Sequence, residues 1–177
     1  SSIWNIMKDE QGTLWIGTFY GGVSLLNPEL THSEYFRVSE SELSYPVVGK
    51  IVEDKDSNLW IATDGGGLNF MDRKHKTFKS YQSTSNPNTI SSNIIKDIVY
   101  DRDNACLWVG THHGGLNKLD LKTKQVKRYT LPPRLGVGRN DIRSIKLHEG
   151  LLYIGTRSSL IVFDPKTEHG ELLIKEE

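Results

Sequence analysis

Two histidines stand side by side at His112 and His113, and imidazole is the side chain best suited to move a proton near neutral pH or to hold a transition metal. A threonine precedes them and a glycine pair follows, and related contexts recur along the 177-residue chain with other residues in the histidines' place. Those residues are Phe19 and Tyr20, then Asp64 with Gly65, and finally Arg157 with Ser158. Aromatic rings can stack on a pyranose face, while a carboxylate and a guanidinium bond hydroxyls or an acidic group. Phe19, Tyr20, Asp64, His112, His113 and Arg157 are therefore candidates for the rim of a ligand site. The same positions also fit ordinary solvated turns, and both readings stand at the level of sequence.

Other chemistries fit less well. Adjacent residues of an extended strand face opposite sides, so His112 and His113 can share one ion only if their turn is distorted, and no third ligand stands at a telling spacing. No metal site is expected. Asp54-Lys55-Asp56-Ser57-Asn58 resembles the start of a calcium loop, but Leu59 stands where the loop needs glycine and Gly65 where it needs glutamate. A hairpin turn accounts for it. The clusters Gly21-Gly22, Gly65-Gly66-Gly67 and Gly114-Gly115 are not followed by Lys-Ser/Thr, so a phosphate loop is not indicated. No catalytic residue and no cofactor is called for. Cys106 reads as a small buried filler rather than a reactive thiol.

Composition narrows the classes. Lysine plus arginine is 22 and aspartate plus glutamate is 22, a formal net charge of zero, so nucleic acid is not an expected partner. No apolar run approaches the roughly 20 residues of a membrane helix. The first residues, Ser1-Ser2-Ile3-Trp4, enter directly into a structured pattern, and no signal peptide is read there. A single cysteine excludes an internal disulfide framework.

The elements that must position the candidates come from a repeat. Leu14-Trp15-Ile16-Gly17-Thr18 returns as Leu59-Trp60-Ile61-Ala62-Thr63, Leu107-Trp108-Val109-Gly110-Thr111 and Leu152-Tyr153-Ile154-Gly155-Thr156. The ring positions lie 45, 48 and 45 residues apart. An apolar alternating run precedes each copy and two more follow it, with Asx-rich or Pro-containing turns between them. Four short strands repeating at about 45 residues match a β-propeller blade. The expected fold is all-β: four consecutive four-stranded blades at about 1–45, 46–92, 93–140 and 141–177, forming a single partial propeller over 1–177. Trp15, Trp60, Trp108 and Tyr153 would be the wedges between blades; a buried indole removes roughly 150–250 Å² from water. The tryptophans could serve as sugar platforms instead, but recurrence at one phase favours packing. In a propeller the second-to-third strand turns gather on one face near the channel, which would bring the candidate rim residues together. The polar connections Ser39 to Pro46, Gln82 to Asn93 and Thr130 to Asn140 would lie on that face as surface linkers, or rim the site. Pro132-Pro133 would stiffen the last of them, and Gly136 and Gly138 would loosen it.

At Asp9 to Gly22 the chain reads Asp-x-x-Gly-x-Leu-Trp-Ile-Gly-Thr-x-x-Gly-Gly, which resembles the two-component regulator propeller repeat. The copies at Asp56 to Gly66 and ending at Gly115 match nearly as well, and the approach Ile90 to Ile98 is typical of that family. The fourth copy departs: Tyr153 replaces tryptophan, Ser158-Ser159 replace the glycine pair, and one residue is missing. The resemblance implies a segment of a larger propeller, in the periplasmic sensor region of a hybrid histidine kinase that regulates polysaccharide use. It implies no catalysis in this chain, an oligosaccharide as ligand, and neighbouring blades and downstream signalling domains as partners. Exposed end blades also suggest a homodimer. Two other function classes stay open. One is a lyase using His112 or His113, since the chain is also similar to propeller lyases such as the streptogramin lyases. The other is a structural surface that binds another protein.

Overall fold

The computed structural model describes residues 2–27, 32–39, 42–132, 134 and 140–175. Pro28 and Glu29, which the sequence places in the turn after the third run of the first repeat, and Pro133, Gly136 and Gly138 of the last connection, lie outside the described residues. Sixteen strands are described, in four sheets. The first sheet contains β1 (Ile3–Lys8), β2 (Leu14–Thr18), β3 (Val23–Asn27) and β4 (His32–Phe36). The second contains β5 (Val48–Glu53), β6 (Leu59–Thr63), β7 (Leu68–Asp72) and β8 (Thr77–Tyr81). The third contains β9 (Ile95–Asp101), β10 (Cys106–Thr111), β11 (Gly115–Asp120) and β12 (Val126–Tyr129). The fourth contains β13 (Ile142–His148), β14 (Leu151–Thr156), β15 (Ser159–Asp164) and β16 (His169–Lys175). Each sheet is an antiparallel meander in chain order, which is the blade that the repeat predicts. The described chain divides into two compact units, Ser1–Gln82 with Asn93–Ile95, and Ser83–Ser92 with Lys96–Glu177.

The repeated residues do repeated work. Asp9 and Asp54 directly follow the first strands of their blades, and Asp101 ends its own. One carboxylate oxygen of Asp9 accepts the turn amides of Gln11 and Thr13 at 3.0 and 2.8 Å. Its other oxygen accepts the Trp15 indole N–H at 2.8 Å. The same bond joins Trp60 to Asp54 at 3.0 Å and Trp108 to Asp101 at 3.3 Å. Each aspartate thus shapes a turn and satisfies the one polar atom of a buried indole, which is costly to leave unpaired. The three tryptophans are 2, 0 and 1 % exposed.

Within the first unit, one face of the first sheet carries Met7, Trp15 and Leu25 in register. That face packs against Ile51, Leu59, Ile61 and Met71 of the second sheet, in one core cluster. Arg73, in the turn after β7, reaches back to the first blade. It pairs with Asp9 at 2.9 Å, bonds Glu53 at 3.1 Å, and lies 5.3 Å from the Trp15 ring centre. The second unit repeats the packing, with Trp108 of the third sheet against Ile145, Leu152, Ile154, Ile161 and Phe163 of the fourth. Here Lys127 pairs with Glu168 across the two blades.

Three first strands carry a bulge at one place, between Ile3 and Asn5, Val48 and Lys50, and Ile142 and Ser144. In each unit a polar side chain beside this point ties one blade to the next. Asn5 accepts the Ile51 N–H at 3.1 Å, and Asp97 accepts the Ile145 N–H at 2.8 Å. Tyr153, the fourth ring of the series, is only half-buried. Its row across the sheet is Lys146, Tyr153, Val162 and Glu171, polar at both ends.

Candidate functional site

The turn between the second and third strands is built alike in every blade. A threonine hydroxyl closes it by donating to a carbonyl across the turn: Thr18 to Gly22 at 3.0 Å, Thr63 to Gly67 at 2.7 Å, Thr111 to Gly115 at 2.9 Å and Thr156 to Ser159 at 3.2 Å. The candidate residues are the ones this bond leaves free to differ.

In the first unit Phe19 stacks on Trp4 with centroids 4.8 Å apart, and the edge of Tyr20 meets Phe19 at 4.4 Å. Tyr20 has φ 68° and is 66 % exposed, so its ring is offered outward from a left-handed backbone. Trp4 is the extra residue of the β1 bulge. A bulge re-aims a side chain, which here turns an indole from the strand onto the turn. Asp64 is half-buried, and its N–H donates to the Val47 carbonyl at 3.0 Å. The next residue, Gly65, faces the Tyr45 ring so closely that a Cβ there would lie 2.6 Å from Tyr45 Cζ.

In the second unit His112 Nδ1 lies 2.8 Å from Asp141 Oδ1, and Asp141 Oδ2 pairs with Arg143 at 2.6 Å. Nδ1–H therefore donates to a nearly buried carboxylate, and among the described residues Nε2 has no hydrogen-bond partner. Burial acts to raise the Asp141 carboxyl, but the His112 hydrogen bond and the Arg143 charge outweigh it and hold the group below its ordinary value. His113 adopts φ 63°, and its ring centre lies 3.6 Å from that of His112. The left-handed residue breaks the strand's alternation, so the two imidazoles meet rather than diverge. Arg157 is exposed and borders a cavity of about 240 Å³ with Thr156, Ser158, Ser159, Leu160 and Ile174. Among the described residues no group of three or more His, Cys, Asp or Glu is placed to hold a metal ion. Cys106 is buried and free; burial, followed by the Asp101 charge, pushes its thiol up to about 12.

The structure thus brings Phe19 to Tyr20 and His112 to His113, and adds Trp4, Asp141 and Arg143 to them. Sequence reasoning missed all three. Trp4 and Arg143 occupy matching bulge positions, a signal that the first-strand alignment contains.

Four meander sheets, each pair within a unit packed face to face through the repeated tryptophan row, define a β-propeller segment. In its first three blades the chain is similar to the two component regulator propeller: that family's model matches residues 1–20, 42–65 and 89–113, and the fourth blade lies outside the matched stretches. Among solved structures it is similar to the extracellular domain of the putative hybrid two component system BT3049 from B. thetaiotaomicron. The TM-score is 0.84 at 21 % identity, over 97 % of this chain and 24 % of that one. It is similar too to the extracellular domain of the putative one component system BT4673 from the same organism, with TM-score 0.80 at 23 % identity, over 97 % of this chain and 25 % of that one. PorZ of Porphyromonas gingivalis, a surface component of the type-IX secretion system, aligns with TM-score 0.67 at 14 % identity, over 99 % of this chain and 38 % of that one. The chain spans about a quarter of the length of the first structures it matches. No curated protein matches it.

Proposed function

We propose that this chain is a non-catalytic, ligand-sensing propeller segment in the periplasm, part of a hybrid two-component sensor whose downstream kinase receives the signal by phosphorelay. The ligand is an oligosaccharide, engaged by Phe19, Tyr20, Asp64, His112, His113 and Arg157. One observation carries the reading. The same threonine hydroxyl closes the turn of every blade, while the side chains presented beyond it differ in every blade and are those that stack on or hydrogen-bond to sugars. A rigid turn with variable tips is how loops on a scaffold carry recognition. The likeness to extracellular domains of two-component systems supports the location and the sensing role. Signalling then requires that the ligand bind one arrangement of the sensor better than another. Neighbouring blades, downstream signalling domains and a second copy of the chain are the proposed partners; light scattering that gives a monomer at working concentration removes the last.

Calorimetric titration of a glycan panel tests the site. A saturable heat is expected, weakened at least tenfold by Tyr20→Ala or Arg157→Ala with the melting temperature unchanged, and by His112→Ala. Equal affinity in all variants would overturn it. The His112–Asp141 pair favours one other reading, a lyase in which His112 moves a proton with His113 beside it. Turnover of a glycan that falls in both His112→Ala and Asp141→Asn would replace sensing with that reading.

A further inference from the structure

Trp4 stands apart from the other tryptophans. Trp15, Trp60 and Trp108 are buried, and each gives its N–H to an aspartate. Trp4 is 49 % exposed, and its N–H has no hydrogen-bond partner among the described residues. The bulge sets its place. Ile3 pairs with Thr18 and Asn5 with Gly17, so Trp4 has no partner across the strands and its ring leaves the row. The Phe19 N–H donates to the Ser2 carbonyl at 2.9 Å, which holds the turn tip beside the start of β1. The indole then stacks on Phe19 with the ring planes 27° apart, and Tyr20 meets Phe19 edge-on at 71°. Phe19 touches both neighbours and is half-buried; Trp4 and Tyr20 are exposed.

An open bulge is not peculiar to the first blade. Gly49 holds the place in the second. The first blade packs before that strand, yet a Cβ on Gly49 would meet nothing within 4 Å. Arg143 holds the place in the fourth. The third blade packs before it, yet its side chain is 46 % exposed. The position therefore faces open space with a preceding blade present, and its occupant is an indole, a bare backbone or a guanidinium. It varies between blades as the turn tips do.

Two polar atoms of the aromatic cluster are unused. The Tyr20 hydroxyl, like the Trp4 N–H, has no hydrogen-bond partner among the described residues. An indole N–H only donates, whereas a phenol donates or accepts. Ring faces carry negative charge density, so they attract polarised C–H bonds and repel a carboxylate.

We propose, resting on the oligosaccharide reading above, that Trp4, Phe19 and Tyr20 form one subsite for the C–H face of an uncharged pyranose, and that Trp4 sets this preference. The sugar ring stacks on the exposed indole, and its hydroxyls bond the Trp4 N–H and the Tyr20 hydroxyl. A strand residue outside the turns thus joins the site.

The test uses the 177-residue chain and its own fluorescence, since Trp4 is the exposed indole among four. The probes are neutral oligosaccharides of β-linked glucose, galactose, mannose or xylose, with oligogalacturonate as the charged control. At least one neutral probe should change the emission saturably and shift the Trp4 indole N–H resonance, with the charged probe about tenfold weaker. In calorimetry Trp4→Ala should weaken the neutral probe about tenfold, through the lost stacking and hydrogen bond together. Trp4→Phe, which keeps a flat ring, should cost about threefold or less. An unchanged Trp15 indole resonance shows the blade intact in both variants. No binding of any glycan would overturn both this subsite and the sensing reading beneath it. A glycan that binds and is weakened by Tyr20→Ala but not by Trp4→Ala would overturn the subsite alone. So would equal quenching by oligogalacturonate, or quenching by a proline-rich peptide and by no sugar.

Discussion

The third and fourth blades lie in one compact unit and share a meander, a strand-one position and a threonine-closed turn, yet they are stabilised differently. The third keeps Trp108 on Asp101 and Asn117 on Ser91, both buried. The fourth puts His148 where the aspartate stands and Tyr153 where the tryptophan stands, their rings 6.4 Å apart. It also replaces the asparagine by Ile161, has no serine in the connection that enters it, and shortens the variable turn. The residues left out are the ones that need a partner: an indole needs an acceptor, a buried amide needs a serine. The two members of each pair disappear together, so the pair, not the single residue, is what the repeat maintains.

That contrast can be broken at several strengths. The largest effect is expected from Trp108→Ala, about 3–5 kcal/mol in urea unfolding, because a fully buried indole leaves a cavity behind. Tyr153→Ala, at the half-buried position, should cost about 1–2 kcal/mol in the same measurement. Equal losses would mean that the two rings do the same work. Next comes Asn117→Ala, which strands the Ser91 amide and should cost about 1–3 kcal/mol, whereas Ile161→Val in the fourth blade should cost roughly 0.5–1.5 kcal/mol. Pairing sharpens the comparison further. Asp101→Ala and Trp108→Phe each remove one end of the same hydrogen bond, and the double variant should be less destabilised than the sum by about 1 kcal/mol. Strict additivity would show the bond to be idle.

The smallest effect is one of pH. Asp141, at the seam of these two blades, has a carboxyl held below its ordinary value by His112 and Arg143, against the effect of burial. A depressed folded-state value stabilises the fold above the unfolded value, about 3.9. The stability advantage of the native chain over Asp141→Asn should therefore be full near neutral pH and fade as pH falls through the lower folded-state value. An advantage unchanged down to pH 2 would refute the assignment.

Much of the scaffold was legible because its logic is local. The aspartate and tryptophan of a blade lie six or seven residues apart across one tight turn, and the turn threonine bonds four residues on in three of the blades. Such spacings recur visibly. The contacts that shape the candidate site were not legible, because they join different blades or depend on a bulge. His112 and Asp141 are 29 residues apart with no motif linking them. His113 turns toward His112 only because its backbone is left-handed, which a pattern of alternating strand residues does not predict. The Asn–Ser clasp, Asn69 on Ser44 and Asn117 on Ser91, sits between: its partners are 25 or 26 residues apart, yet both recur at a fixed phase, and an alignment of the blades contains them.

The claim beneath all of this is that each of the first three blades buries one indole on one aspartate. Exchange of the four indole N–H protons with deuterated water tests it directly, with Trp4 as an internal reference because it is 49 % exposed. Slow exchange is expected for Trp15, Trp60 and Trp108, and rapid exchange for Trp4. Four protons that exchange at one rate would contradict it.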